Sequence, residues 1–207
     1  MEVTKTMRVG MVAYPIPPEI EESQRVEWLI NRAGELGLTC LPLPGRSLAS
    51  REPDYLKQLR ELGEAKDIEF EWGAPGVWGL VGPDAKASRE RLLEAIRIAK
   101  VLGCKLIRTG YGRLTVATSR FNREIPISEH LGHLIKNLKV AAPIIENSGL
   151  LLAAENHCDF TGREMAEVFA AVDSPNVGAA FDTGNGYTVL WDPNDDTEAL
   201  APYTITT

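Results

Sequence analysis

The sequence predicts an α/β fold in which parallel strands are covered by helices, of the (β/α)8 TIM-barrel type. Three observations predict it. Strand-like and helix-like segments alternate along the chain. Successive helical stripes stop on a glycine shortly before an apolar strand, the punctuation of repeated strand-helix units. No glycine-rich phosphate loop follows the first strand at Tyr14, although open doubly wound sheets usually carry one there. A closed barrel takes about 250 residues. The 207 residues give six units and the start of a seventh strand, so a single domain over 1–207 is expected, an incomplete barrel lacking its last one to two βα units.

The elements follow in order. Arg8 to Tyr14 reads as the first strand, ended by Pro15-Ile16-Pro17-Pro18. Val26, Leu29, Ile30, Ala33 and Leu36 share a helix face that Gly37 stops. Thr39 to Leu43 is a second strand, and Tyr55 to about Ala65 a helix capped by Asp54. Ile68 to Trp72 is the third strand, although Glu69 and Glu71 are unusual in a buried parallel strand. From residue 88 a stripe of Leu92, Ala95, Ile96, Ala99 and Leu102 ends at Gly103, and Leu106-Ile107 opens the fourth strand. Ser128 is expected to cap a helix burying Leu131, Leu134, Ile135, Leu138 and Ala142, with a kink at Pro143 and a stop at Gly149. Leu150 to Glu155 is the fifth strand. Thr161-Gly162-Arg163-Glu164 is a capping box for a helix burying Met165, Val168, Phe169 and Val172. Val177 to Asp182 is the sixth strand, a short helix lies near Thr197 to Leu200, and Tyr203 to Thr206 opens the seventh.

Composition excludes several classes of function. The net charge of −7 and pI near 5.1 repel a nucleic-acid backbone or an anionic membrane surface. Cys40, Cys104 and Cys158 are few, odd in number and widely spaced, which fits reduced cytoplasmic thiols and no disulfide framework. No apolar run approaches the ~20 residues that cross a bilayer, and the N-terminus carries no signal-like stretch. A cytoplasmic protein is expected.

Two motifs carry the chemistry. Glu155-Asn156-His157 ends the fifth strand and Asp182-Thr183-Gly184-Asn185 ends the sixth, with one helix between them. Neighbouring parallel strands lie about 4.8 Å apart, so acids at their ends converge within reach of one cation. Two such carboxylates repel unless a proton or a cation sits between them. Strand alternation places Leu151, Ala153 and Glu155 on one face and Gly178, Ala180 and Asp182 on the equivalent face of the next strand. The plainer reading of the acids is loop capping or ion pairing with Arg108 or Arg113.

The runs Leu151 to His157, Thr161 to Ser174 and Pro175 to Asn185 resemble the sugar phosphate isomerase/epimerase group of the xylose-isomerase-like barrels. The resemblance is specific from about Arg97 to Tyr203 and general before that. It implies a divalent cation held by a Glu on strand five, an Asp on strand six, a His on strand seven and a Glu on strand eight. Glu155 and Asp182 match the first two, and the chain as far as Thr207 has no counterpart of the others. The implied activity is isomerisation or epimerisation of a small sugar, sugar phosphate or sugar acid, by proton transfer next to a metal-bound carbonyl, with Glu155 also carrying protons. Oxygen ligands suit Mg²⁺ or Mn²⁺, while a His ligand would admit Zn²⁺ or Co²⁺.

The remaining candidates are substrate contacts: His157, which shares the parity of Glu155; Arg108; Trp72 and Tyr111, as sugar-stacking rings after strands three and four; and Asn185, which otherwise braces the Asp182 loop. Trp78 has the same stacking potential. His130 and His133 are assigned to a solvent face, and Cys158 to no role for want of an adjacent base. A carbohydrate is the expected small-molecule partner, with homo-oligomerisation through open strand edges. The alternatives are a non-catalytic barrel fragment and a phosphodiesterase resembling abasic-site endonucleases, which the acidic balance and only three histidines disfavour.

Overall fold

The computed structural model describes residues 7–12, 15–46, 48–112 and 119–207. They form two compact units, Met1–Gly73 with Arg97–Lys105, and Ala74–Ile96 with Leu106–Thr207.

In the first unit, helix α1 (Arg25–Glu35) buries Val26, Leu29, Ile30 and Ala33 and ends where Gly37 takes a φ of 70°. Strand β1 (Cys40–Pro42) pairs parallel with β2 (Glu69–Gly73), Leu41 standing opposite Phe70. The predicted first strand contributes a parallel bridge from Gly10 to Cys40, and the Val9 carbonyl accepts from the amides of Thr39 and Cys40. A Cβ on Gly10 would stand 2.5 Å from the Cys40 carbonyl oxygen, so only glycine permits the approach. Ala13 and Tyr14, the end of that prediction, lie outside the described residues.

Helix α2 (Pro53–Glu64) starts differently from the expectation. Pro53 occupies the first turn after Glu52, and Asp54 lies inside the helix, where its charge complements the helix dipole without capping an amide. Strand β2 forms in spite of its two glutamates. Glu69 ion-pairs with Arg8 Nε at 3.1 Å and with Lys105, whereas Glu71 is buried.

Helix α3 (Ala85–Val101) is shared between the units, and Gly103, at φ 74°, turns the chain after it. The second unit carries four parallel strands in chain order, β3 (Leu106–Gly110), β4 (Leu151–Glu155), β5 (Val177–Ala180) and β6 (Thr204–Thr206). The last three are reached through the helices α4 (Ile127–Ser148), α5 (Gly162–Val172) and α6 (Pro193–Leu200), as β3 is through α3. Ile107, Leu152, Ala153, Ala154, Ala179 and Ala180 are wholly buried and centre the core of this sheet.

Helix α4 corrects two expectations. It begins at Ile127 with Pro126 in the cap position, so Ser128 falls within the first turn and bonds no amide as a cap. It runs through Pro143 as one helix to Gly149, which adopts a φ of 75°. Its buried face keeps Leu134, Leu138 and Ala142 of the predicted stripe but adds His130, Asn137, Ala141 and Ile145 and leaves Leu131 and Ile135 half-buried, so His130 is in the interior and not on a solvent face. The α5 capping box is present as read: Thr161 Oγ1 accepts from the Glu164 amide at 3.3 Å, and Glu164 Oε2 accepts from the Thr161 amide at 2.8 Å. Among the described residues no helix is long and apolar enough to cross a membrane.

Candidate metal and substrate site

The register of β3, β4 and β5 sets the site. Gly110 stands opposite Glu155, and Glu155 opposite Ala180, so Asp182 follows two residues beyond the level of Glu155 on the neighbouring strand. Backbone pairing of β5 with β4 has ended by then, and a side chain replaces it. The fully buried Asn156 donates from Nδ2 to the Asp182 carbonyl at 2.9 Å, and its Oδ1 accepts from the Asp182 amide at 2.8 Å. The exchange has a counterpart in the opposite direction: Asn185, three residues after Asp182, donates from Nδ2 to Glu155 Oε1 at 3.1 Å. Each acidic motif therefore holds the other through an asparagine.

Those bonds fix how each carboxylate is presented. Glu155 Oε1 is engaged by Asn185, while Oε2 faces Gly110, where a Cβ would come within 3.4 Å of it. Asp182 Oδ1 accepts from the Gly184 amide at 2.8 Å, an Asx turn that leaves Oδ2 outward on an exposed residue. Glu155 is half-buried. One oxygen of each acid is thus held by the protein and one is presented. An all-oxygen pair of this kind fits part of the shell of a hard divalent cation, with water or substrate oxygens completing it. Among the described residues no group of three or more His, Cys, Asp or Glu side chains gathers as a metal cluster.

Around this pair the β3 and β4 ends are lined by rings. Trp78 donates its indole N–H to the Gly110 carbonyl at 2.8 Å and meets Tyr111 edge-on at 5.6 Å between centroids. Tyr111 also contacts the rings of His133 at 5.2 Å and Phe160 at 6.0 Å, and its hydroxyl lies 3.3 Å from His130 Nδ1. Burial, reinforced by Asp159, raises the Tyr111 phenol above its ordinary pKa. Burial lowers His133, against a bond to the Trp78 carbonyl that favours its charged form. Tyr111 is packed in a ring cluster with part of its surface exposed, and the two histidines that the sequence placed in solvent are members of that cluster.

His157 corrects a second expectation. β4 ends at Glu155, so strand parity no longer governs residue 157. Its Cβ would still approach a side chain on Gly110, at 3.8 Å, but its Nδ1 lies 3.0 Å from Cys158 Sγ. Cys158 therefore does have a base beside it. The thiol is held protonated all the same, because burial, then Asp159 and Glu155, push its pKa up. Arg108 lies on β3 opposite Ala153, two residues below the level of Gly110 and Glu155. Arg113 lies outside the described residues. Trp72 is a buried residue of β2 in the first unit, its ring against Gly45, where a Cβ would come within 2.9 Å.

The loop after β4 is braced from two sides. Arg120 donates to the Asp159 carbonyl at 2.9 Å and grips both oxygens of Glu164, at 3.0 and 3.2 Å. The Thr188 hydroxyl lies 2.6 Å from the carbonyls of both Cys158 and Asn185, joining this loop to the one that carries Asp182.

The family model described as "xylose isomerase-like TIM barrel" matches residues 30–205. The chain belongs to that family. Its sequence segments in both units fall within the matched span, and the strand-helix repetition described above is that of the TIM barrel. No curated protein sequence matches the chain. Solved structures do. A D-psicose 3-epimerase crystallised in the presence of D-fructose superposes with a TM-score of 0.75 at 15% identity, over 95% of this chain and 71% of the other. A 3-keto-D-glucoside 4-epimerase from E. coli gives 0.70 at 11% identity, over 96% and 76%. A probable 3-DHS dehydratase from Bacillus anthracis gives 0.70 at 16% identity, over 95% and 70%. At such identities the likeness to these family members is one of fold.

Proposed function

We propose that the protein is a metal-dependent isomerase or epimerase of a small sugar or sugar acid. The observation that carries the reading is the pair of strand-end carboxylates, each with one oxygen held by an amide and one presented, locked to each other by Asn156 and Asn185. Membership of a family whose fold also builds sugar epimerases supports it.

Glu155 and Asp182 would hold a divalent cation, with Mg²⁺ or Mn²⁺ suited to the oxygen donors. When bound, such a cation polarises a substrate carbonyl and its neighbouring hydroxyl, acidifying the C–H between them and stabilising the charge left behind. Glu155, half-buried and aimed past Gly110, is the group placed to take that proton. His157 and the exposed part of Tyr111 orient hydroxyl groups of the sugar, and Trp78 with Tyr111 excludes water from one side. Arg108 and Asn185 stay in the proposal as substrate contacts, Asn185 through its hold on Glu155, whereas Trp72, buried against Gly45, serves the packing of the first unit.

The test is Mn²⁺ binding, followed by electron paramagnetic resonance, together with deuterium uptake from D₂O into D-fructose and D-tagatose, followed by NMR. Glu155→Gln should lose Mn²⁺ affinity and lower exchange by at least about a hundredfold. Exchange retained in Glu155→Gln overturns the reading. A second reading, carbohydrate or metal binding without turnover, is favoured by the absence, among the described residues, of a group of three or more His, Cys, Asp or Glu side chains gathered as a metal cluster. Mn²⁺ bound without any exchange would support it over the first.

A further inference from the structure

The buried amide of Asn156 does more than fill space. It is wholly buried, it directly follows Glu155, and both of its polar atoms are spent on the backbone of one residue 26 positions away. Within a parallel pair, each rung of backbone bonds sets how far one strand can slide past its neighbour. The last β4–β5 rung is Glu155 opposite Ala180. Beyond it the next backbone is turning away, since β5 ends at Ala180 and Phe181 donates across the other side to Thr206.

We propose that Asn156 is a positioning residue for the candidate metal site: its carboxamide acts as one further rung between β4 and the Asp182 segment, fixing the height of Asp182 beside Glu155. The inference rests on the proposed metal reading for its functional consequence, and on geometry alone for the rung itself. An amide is the group required. A single side chain has to donate to a carbonyl and accept from the amide of the same residue, which among buried neutral side chains asparagine and glutamine can do, and glutamine is one methylene too long for this spacing. Asn185 completes the arrangement from the opposite motif, since a shift of the Asp182 loop would pull its Nδ2 away from Glu155 Oε1. The two acids are therefore coupled. Moving one loop misplaces both carboxylates, and supporting groups of this kind typically change metal affinity by about 10–100-fold when removed.

Three arms test it. In the unaltered chain, hydrogen exchange read by NMR should show the Asp182 amide protected to the same order as the Leu152 amide, which bonds the Asn176 carbonyl inside the sheet. Exchange of Asp182 as fast as that of the exposed Thr183 overturns the rung. Asn156→Leu, nearly isosteric and unable to bond, should raise Asp182 exchange at least tenfold while leaving Leu152 within twofold, and Asn156→Ser, too short to reach both atoms, serves the same arm if Asn156→Leu does not fold. Mn²⁺ affinity in the folded variant should fall at least tenfold; unchanged affinity alongside faster Asp182 exchange overturns the positioning role and leaves a structural rung only. If the unaltered chain binds no Mn²⁺, the metal reading of the acids fails and with it the positioning role, while the exchange arms decide the rung on their own.

Discussion

Glu155 Oε1 accepts from Asn185 and Asp182 Oδ1 from the Gly184 amide, and the placing of the two acids at the ends of neighbouring strands was readable from sequence. Two acids ending adjacent apolar strands at matching parity are visible in a string of letters, because strand alternation is local and regular. The straps that hold them were not. Asn156 points to the opposite side from its neighbours in the motif, and its partner is the backbone of Asp182 across the sheet. The pairing of His157 with Cys158 was hidden for a related reason, since the strand stops at Glu155 and the turn after it obeys no period.

Asp196 supplies a pH prediction at the same scale. It is buried in α6, its Oδ1 accepts from the amide of Gly162 at the start of α5, and its Oδ2 has no hydrogen-bond partner among the described residues. Burial raises its pKa, against the Gly162 bond that lowers it and with Asp195, Glu164 and Asp192 adding repulsion. The folded state then holds the Asp196 proton more tightly than the unfolded chain does. This contribution is full below the ordinary carboxylate range, is lost as pH rises through the interval up to the raised value, and is flat above it. Asp196→Asn keeps the acceptor for Gly162 without an ionisable group. Urea unfolding of both forms should show Asp196→Asn gaining stability relative to the parent from pH 4 to pH 7; a constant difference contradicts the assignment.

At the scale of elements, the glycine stops and one capping box were read correctly, whereas the Asp54 and Ser128 caps were not. Gly37, Gly103 and Gly149 all turn the chain with positive φ, and the Thr161 capping box closes as its spacing requires. Thr161→Ala should cost about 1 kcal/mol in chemical denaturation through the lost cap. Gly178 is a harder constraint. A Cβ there would stand 2.3 Å from the Tyr203 carbonyl oxygen, so Gly178→Ala must push β5 and β6 apart and should destabilise by about 1–3 kcal/mol in the same assay. Helix α4 shows where reading by period fails. Leu131 and Ile135, which hydropathy places inside, stay half-buried, while the buried face takes in His130 and Asn137, whose Oδ1 accepts from the Val81 amide at 3.0 Å, a long-range bond that hydropathy does not register.

At the scale of the whole molecule, the charge of −7 bears on what the chain meets in solution. A phosphodiester substrate would have to approach against that field, most strongly at low salt where screening is weakest. An abasic-site duplex should therefore show neither retardation nor nicking at physiological ionic strength, measured by gel shift and strand cleavage with Mn²⁺ or Zn²⁺ present. Cleavage at the abasic site would revive the nuclease alternative. The family resemblance was legible from about Arg97 to Tyr203, because the chain before that carries only the alternation common to every fold of this architecture.

Glu164 serves two masters. One of its oxygens closes the α5 cap and also takes Arg120, so the side chain that starts a helix is the same one that moors the segment following β3. Substitutions at 120 and 164 will therefore not add independently, and a drifting lineage can replace either one at little loss only by changing the other in step.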